Sequence, residues 1–275
     1  MDLSNVENPT EYTKRLHTYR LEVEYDGTDF AGWQYQPAER TVQDCLQKAV
    51  RELFGEDVPV IGAGRTDAGV HASGQVAHFR VDSFREPAVV MRAFNALLPG
   101  DIRVKQACLA SAEFHARFSA QWRGYRYRIA RAPLAIGRTY CWTCPNTLDL
   151  SRLRQAAPLI LGSHRFKAFA HYSEKEVHYL STVHRVEWIE SGPHLEFHIV
   201  ANRFLHGMVR LLVGTFVNIG RGKTEIETFK QIMATDDVRQ AGPKAPASGL
   251  TLMTVGYDAW RDDNPHKSED LDTCG

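Results

Sequence analysis

Residues 62–74 read Gly-Ala-Gly-Arg-Thr-Asp-Ala-Gly-Val-His-Ala-Ser-Gly. Gly62, Gly64 and Gly69 surround Arg65, Thr66 and Asp67, and His71 follows. An Asp close to Gly is ordinarily a turn residue, so a tight connection is the plain reading. A phosphate cradle is a second reading. It is discounted, because the GxxxxGK[ST] spacing is missing and the loop does not run directly into a helix. The third reading makes Asp67 a reactive carboxylate, with glycines that let a substrate approach the backbone.

Arg210 bears on that choice. It sits in Met-Val-Arg-Leu-Leu-Val-Gly-Thr-Phe-Val, residues 208–217, a stretch apolar almost all round and so expected as a buried helix. A lone arginine there either snorkels to the surface or meets a carboxylate. A carboxylate so paired would stay ionised inside a pocket.

Residues 115–131 (HARFSAQWRGYRYRIAR) carry five arginines and no acid, interleaved with Phe118, Trp122, Tyr125 and Tyr127. On a strand, Tyr125, Tyr127 and Ile129 share one face, while Arg126 and Arg128 share the other. Basic residues suit a phosphate backbone and aromatic rings suit stacked bases. A solvated edge strand with core tyrosines weighs about equally. Cys141 and Cys144 have the spacing of half a zinc site, but no second pair completes it, so both are taken as structural. His164, His171, His178 and His184 follow no metal-binding pattern, so neither a metal nor a cofactor is expected.

The elements that must carry these residues follow from periodicity. Residues 19–25 alternate as a half-buried strand. Thr41 caps a helix over 42–54, which Gly55 ends. Strands are expected at 58–61, 75–81, 102–109, 121–131, 181–190, 195–201 and 251–257. Helices are expected at 87–97, 151–161, 204–219 and 226–234. Strands and helices mix without strict alternation, which favours α+β over a doubly wound sheet. The division between halves is weakest near Pro133–Asn146.

The chain has 275 residues, 33 Lys+Arg against 33 Asp+Glu, and 43% hydrophobic residues, a globular composition. No apolar run reaches the roughly 20 residues of a membrane helix, and the N-terminus lacks the apolar core of a signal peptide. Five cysteines are too sparse for a disulfide scaffold, so a cytoplasmic protein is expected. The zero net charge hides an asymmetry. Residues 1–17 sum to −1 and residues 261–275 to −3, which leaves 18–260 at +4. Both ends are expected to be disordered tails.

Five segments together resemble the tRNA pseudouridine synthase A family. They are Tyr25-Asp-Gly-Thr-Asp-Phe-Ala-Gly-Trp-Gln34, Gly64-Arg-Thr-Asp-Ala-Gly-Val-His-Ala72, Arg123-Gly-Tyr-Arg-Tyr-Arg128, Asn202-Arg-Phe-Leu-His-Gly-Met-Val-Arg210 and Ala245-Pro-Ala-Ser-Gly-Leu250. The resemblance covers about residues 19 to 258. It implies isomerisation of uridine to pseudouridine at positions 38, 39 and 40 of the tRNA anticodon stem-loop, by base flipping and an aspartate nucleophile. It implies an α+β pseudouridine synthase fold of two similar halves, 18–112 and 113–260, sharing a mixed, mostly antiparallel sheet with a catalytic cleft between them. A homodimer without cofactor or metal is also implied. Asp67 matches the catalytic aspartate and Arg210 its basic partner. Tyr125 matches the tyrosine that stacks on the target base, and Arg65 the arginine associated with flipping. Arg126, Arg128 and Leu250 complete the expected substrate-binding set. The chain departs from the family pattern at Arg165, commonly Asp, and at Ser248, often basic; both bear on tRNA preference.

Two rivals remain at this stage. A tRNA-binding module without catalysis would keep the basic-aromatic strand without needing Asp67 paired to Arg210. A cofactor-free glycosidase needs two carboxylates at a defined separation, and the loop holds one.

Overall fold

Alternation of Tyr19, Leu21, Val23 and Tyr25 with polar residues drives the first strand, β1 (His17–Tyr25), whose apolar face is fully buried. The computed structural model describes residues 16–144, 147–172, 178–235 and 239–261. Residues 1–15 and 262–275, nearly all of the two expected tails, lie outside the described residues. After β1 come α1 (Val42–Phe54), β2 (Ile61–Gly62), β3 (His71–Val81), α2 (Pro87–Leu97), β4 (Ile102–Ala110), β5 (Trp122–Ala130) and β6 (Trp142–Thr143). The chain continues through α3 (Leu150–Ala156), β7 (Gly162–Arg165), β8 (Leu180–Ser191), β9 (His194–Ala201), α4 (Met208–Gly220), α5 (Ile226–Thr235) and β10 (Leu250–Gly256).

The architecture is α+β. One sheet runs β4-β1-β3-β10-β5-β9-β8-β7, with β2 beside β3 and β6 beside β5. Only the β10–β3 and β5–β6 pairs are parallel; the others are antiparallel. The late strand β10 therefore stands mid-sheet and joins a strand from each half of the chain.

The helices cover one face. Tyr19 meets Phe54 of α1 at 5.5 Å between ring centroids, and Phe79 meets Phe94 of α2 at 5.7 Å. Phe197 of β9 meets Phe216 of α4 at 5.4 Å, and Phe216 meets Phe229 of α5 at 5.2 Å. Each such buried side chain contributes about 1.5–3 kcal/mol. Two apolar cores result, one under α1 and α2, the other around α4, and Tyr125 packs against both. Among the described residues, no helix is long and apolar enough to cross a membrane.

Helix α1 has the expected bounds. The Thr41 hydroxyl accepts from the Asp44 N–H at 3.3 Å, and Gly55 turns left-handed at φ 71°. Elsewhere tertiary context shifts the edges. β3 begins at His71, inside the expected loop, because β1 and β10 on either side offer it ladder partners: Tyr25 faces Ala72, and Thr251 faces His71. The expected strand 58–61 shrinks to Ile61–Gly62, since Pro59 has no N–H to donate. The expected helix 151–161 ends at Ala156, and a 3₁₀ turn containing Pro158 follows. The expected helix 204–219 starts only at Met208, because Gly207 stands at φ 78°. L side chains rarely adopt that conformation, and a Cβ on Gly207 would lie 2.8 Å from the His171 ring.

Candidate active site

The main chain of the 62–70 loop is pinned on every side. The Trp33 N–H donates to the Thr66 carbonyl at 3.1 Å, and the Gly69 N–H donates to the Phe30 carbonyl at 3.2 Å. The Gln75 amide donates to the Gly64 carbonyl at 2.8 Å, and the hydroxyls of Tyr25 and Thr66 are hydrogen-bonded at 2.8 Å. The Val70 N–H closes a turn on the Asp67 carbonyl at 3.1 Å. These hydrogen bonds fix the path of the loop from within the protein, and the side chains of Arg65 and Asp67 are left for other partners.

Asp67 meets its cations on one oxygen. Arg210 Nη1 donates to Oδ2 at 2.8 Å, and Lys244 Nζ donates to the same Oδ2 at 2.8 Å. The other oxygen, Oδ1, has His206 Nε2 at 3.4 Å, and the His206 side chain is 67% exposed. Asp67 and Arg210 are 19% and 15% exposed, so the pair is largely, but not fully, withdrawn from solvent. Burial would raise the Asp67 pKa, but hydrogen bonds and charge from Lys244 and then Arg210 outweigh it and hold the carboxyl below its ordinary value. Asp67 is therefore a carboxylate at neutral pH.

A strap formed by residues 242–246 carries Lys244. It lies directly on α4: the Ala245 N–H donates to the Arg210 carbonyl at 3.1 Å, and Arg210 Nε donates to the Ala245 carbonyl at 2.7 Å. The Gly242 N–H donates to the Thr215 hydroxyl at 2.8 Å. This approach requires Gly214, where a Cβ would stand 1.7 Å from the Pro243 carbonyl oxygen. The Tyr127 hydroxyl holds the far end through the Pro246 carbonyl at 2.8 Å.

Tyr125 projects from β5 on the helix-bearing face, with its ring edge-on to Phe204 at 5.0 Å between centroids. Its hydroxyl reaches the loop at Gly64, 3.9 Å from where a Cβ would sit. Burial pushes the phenol pKa well up, and the charges of Tyr25 and Asp67 add to the rise while Arg123 opposes it. Tyr125 is thus a neutral phenol beside the carboxylate. Arg123, two residues earlier on the same face, donates to four carbonyls, those of Ala63, Arg117, Ala120 and Asn202, at 2.7 to 3.0 Å. It ties the 62–70 loop, the 115–120 turn and the approach to α4 together.

The structure thus brings Asp67, Arg210 and Tyr125 into one place, with Arg65 exposed on the same loop. It does not bring the other three expected residues there. Strand alternation turns Arg126 and Arg128 to the opposite face of the sheet, where Arg128 Nε donates to Glu196 Oε1 at 2.8 Å. Leu250 is 6% exposed and lies in the core opposite Tyr127, so its side chain is not offered to a substrate. Sequence reasoning missed Lys244, His206 and His171. Lys244 directly precedes the Ala245–Leu250 motif, and His206 lies inside the Asn202–Arg210 motif. Their positions beside matched segments were the available signal. Among the described residues, no three His, Cys, Asp or Glu side chains converge as a metal-ligand set.

A family model described as tRNA pseudouridine synthase matches residues 22–119 and 156–258, which include every side chain on Asp67. A tRNA pseudouridine synthase A from Picosynechococcus sp. is 40% identical over 240 residues, 86% of this chain and 88% of that protein. The enzyme of that name from Bacillus licheniformis is 40% identical, covering 86% and 97%. That from Chloroflexus aurantiacus is 43% identical over 249 residues, covering 88% and 89%.

Proposed function

The chain belongs to the tRNA pseudouridine synthase family, and from that premise we propose that it isomerises uridine to pseudouridine at positions 38, 39 and 40 of the tRNA anticodon stem-loop, with Asp67 as nucleophile. The observation that carries this reading is the ionised Asp67, which has one oxygen gripped by two cations and the other met by His206 at 3.4 Å. The rival RNA-binding module has no use for a carboxylate held against its own desolvation.

The reaction breaks the N-glycosidic bond, turns the uracil and joins its C5 to the sugar. A base stacked in an RNA stem must first leave the stack, at a cost of a few kcal/mol. Stacking on Tyr125 offsets about 1–3 kcal/mol of that cost. Arg65, exposed two residues before Asp67, is suited to enter the space the base vacates or to hold its phosphate. Asp67 then attacks the flipped nucleotide. A neutral Tyr125 can relay a proton late in the reaction, when C5 must lose one.

Residues 18–112 and 113–260 act in this reading as two halves that close on the RNA. The protein works as a homodimer in the cytoplasm, with tRNA as its partner and no cofactor. A core excess of four positive charges gives modest non-specific affinity, so selection of tRNA rests on RNA shape.

The test is pseudouridine mapping on unmodified tRNA, together with tritium release from uridine labelled at C5. Wild type should modify positions 38 to 40, and Asp67→Asn should bind tRNA without turnover. Turnover by Asp67→Asn above about one part in a thousand of wild type would rule out the nucleophile assignment. Modification elsewhere in the tRNA would rule out the site assignment.

A further inference from the structure

We propose that Lys244, steered by His171, is a second positioning residue for Asp67, and that the two cations on Oδ2 select Oδ1 as the oxygen that meets the target nucleotide. This rests on the reading of Asp67 as the reacting carboxylate.

A carboxylate can rotate, and its two oxygens are equivalent until something distinguishes them. One cation would leave that rotation open. Here two donors reach the same oxygen from different elements at 2.8 Å each, Arg210 from α4 and Lys244 from the strap. Rotating the carboxylate away from this orientation would break both charge-assisted hydrogen bonds at once, so the two cations fix which oxygen position is occupied and which is left. The remaining oxygen has only the longer 3.4 Å approach of an exposed imidazole. A ring two-thirds exposed can swing away when RNA enters, whereas Arg210 is only 15% exposed and tied to the Ala245 carbonyl.

Lys244 is itself held. Its Nζ lies 3.0 Å from His171 Nε2, which must accept the hydrogen bond through its lone pair. The His171 ring also packs against His206 at 4.5 Å between centroids, and the His171 N–H donates to the His206 carbonyl at 2.9 Å. A flexible lysine stem therefore has both of its ends defined: the backbone by the strap on α4, the ammonium by Asp67 and His171. Burial, then the charges of Lys244 and His206, lower the His171 pKa, which keeps that lone pair available at neutral pH.

The groups facing Asp67 are Arg210 from α4, Lys244 from the strap, His206 from the turn before α4 and Tyr125 from β5, with His171 behind Lys244. Removal of Lys244 leaves Arg210 as the nearest full positive charge. The Asp67 titration should then move up by about one pH unit. The experiment reads this directly, without RNA, as the carboxyl ¹³C shift of Asp67 against pH, with the resonance identified by its absence in Asp67→Asn. Lys244→Met should move the titration up, and Lys244→Arg should return it to within about 0.3 units. With tRNA, Lys244→Met should lower kcat by about tenfold or more with KM little changed, and its acid limb should move with the titration. His171→Phe should give a smaller kcat loss in the same direction.

An unmoved titration in Lys244→Met, or in Lys244→Gln if the Met variant does not fold, overturns the proposal. So does a moved titration with kcat unchanged, since Lys244 would then touch Asp67 without positioning it. Because the titration needs no substrate, a failure of the nucleophile reading, seen in Asp67→Asn turnover, is told apart from a failure of this one.

Discussion

The two faces of the sheet each carry a carboxylate set among cations, and the two sites are built differently. On the open face, Glu196 of β9 has both oxygens engaged: Arg128 Nε holds Oε1 at 2.8 Å and His198 Nε2 holds Oε2 at 2.8 Å. Its three groups come from neighbouring strands, in cross-strand register or two residues apart. The hydrogen bond from His198 outweighs burial and, with Arg128, holds the Glu196 pKa at about 2. On the helix-bearing face, Asp67 has both of its close cations on one oxygen, and they arrive from an apolar helix and an irregular strap. The Glu196 site is closed upon itself. The Asp67 site leaves one oxygen with only the 3.4 Å approach of His206 and sets two full positive charges against one carboxylate, which in the proposed reaction suits negative charge developing on the substrate. A buried ion pair by itself is thus no sign of function. The sign is an oxygen that the protein leaves without a close partner.

The contrast is broken most sharply by neutralising each acid in turn. Asp67→Asn should cut tritium release by at least about 10⁴-fold while tRNA affinity stays within a few-fold. Glu196→Gln should leave turnover near wild type but lower stability by about 2–3 kcal/mol, read as a fall in the melting temperature. If Glu196→Gln is inactive while still folded, the open face takes part in the chemistry and the division between the faces fails.

The pH dependence of that stability carries a definite sign. The Glu196 pKa is lowered on folding, so its contribution is complete above the ordinary glutamate value of about 4.3 and is lost as pH falls through about 2. The gap in melting temperature between wild type and Glu196→Gln should therefore narrow from pH 5 downward. A gap that stays constant to pH 2 would mean the variant loses packing rather than charge.

Gly214→Ala tests the helix-bearing side through geometry alone. A methyl group at 1.7 Å from the Pro243 oxygen must push the strap off α4 and take Lys244 with it. We expect a loss of about 1–3 kcal/mol in stability, with a fall in kcat larger than any change in KM. The smallest expected effects separate Arg65 from Arg128. Arg65→Ala should flatten the slope of log affinity against log salt by about one unit or less, and Arg128→Ala should leave it unchanged. An equal flattening by both would place the RNA on both faces.

Much of this was legible before any coordinates. Thr41, the apolar positions of residues 42–54 and Gly55 define α1 within one segment, so local physics suffices there. A lone arginine in the apolar run 208–217 had either to snorkel or to meet a carboxylate, and the family resemblance matched it to Asp67; their 2.8 Å pair spans 143 positions of sequence. Alternation on β5 already separated Tyr125 from Arg126 and Arg128. That Arg128 is spent on Glu196 was not legible, because cross-strand register is a non-local fact. Lys244 was not legible either. It sits among Gly, Pro and Ala with no periodicity, and nothing local says that Gly214 opens a groove for its backbone.

By itself the sequence determined the α+β class, the family, the helix that carries Arg210 and the loop that presents Asp67. The family rests on the resemblance of five motifs; the rest follows from period and turn chemistry, which act over a few residues. The tertiary structure alone decided which oxygen of Asp67 is occupied, which arginines face the site and how a strap lysine comes to share the aspartate. Those depend on distances between segments far apart in the chain, set by how closely β10, α4 and the 242–246 strap can pack.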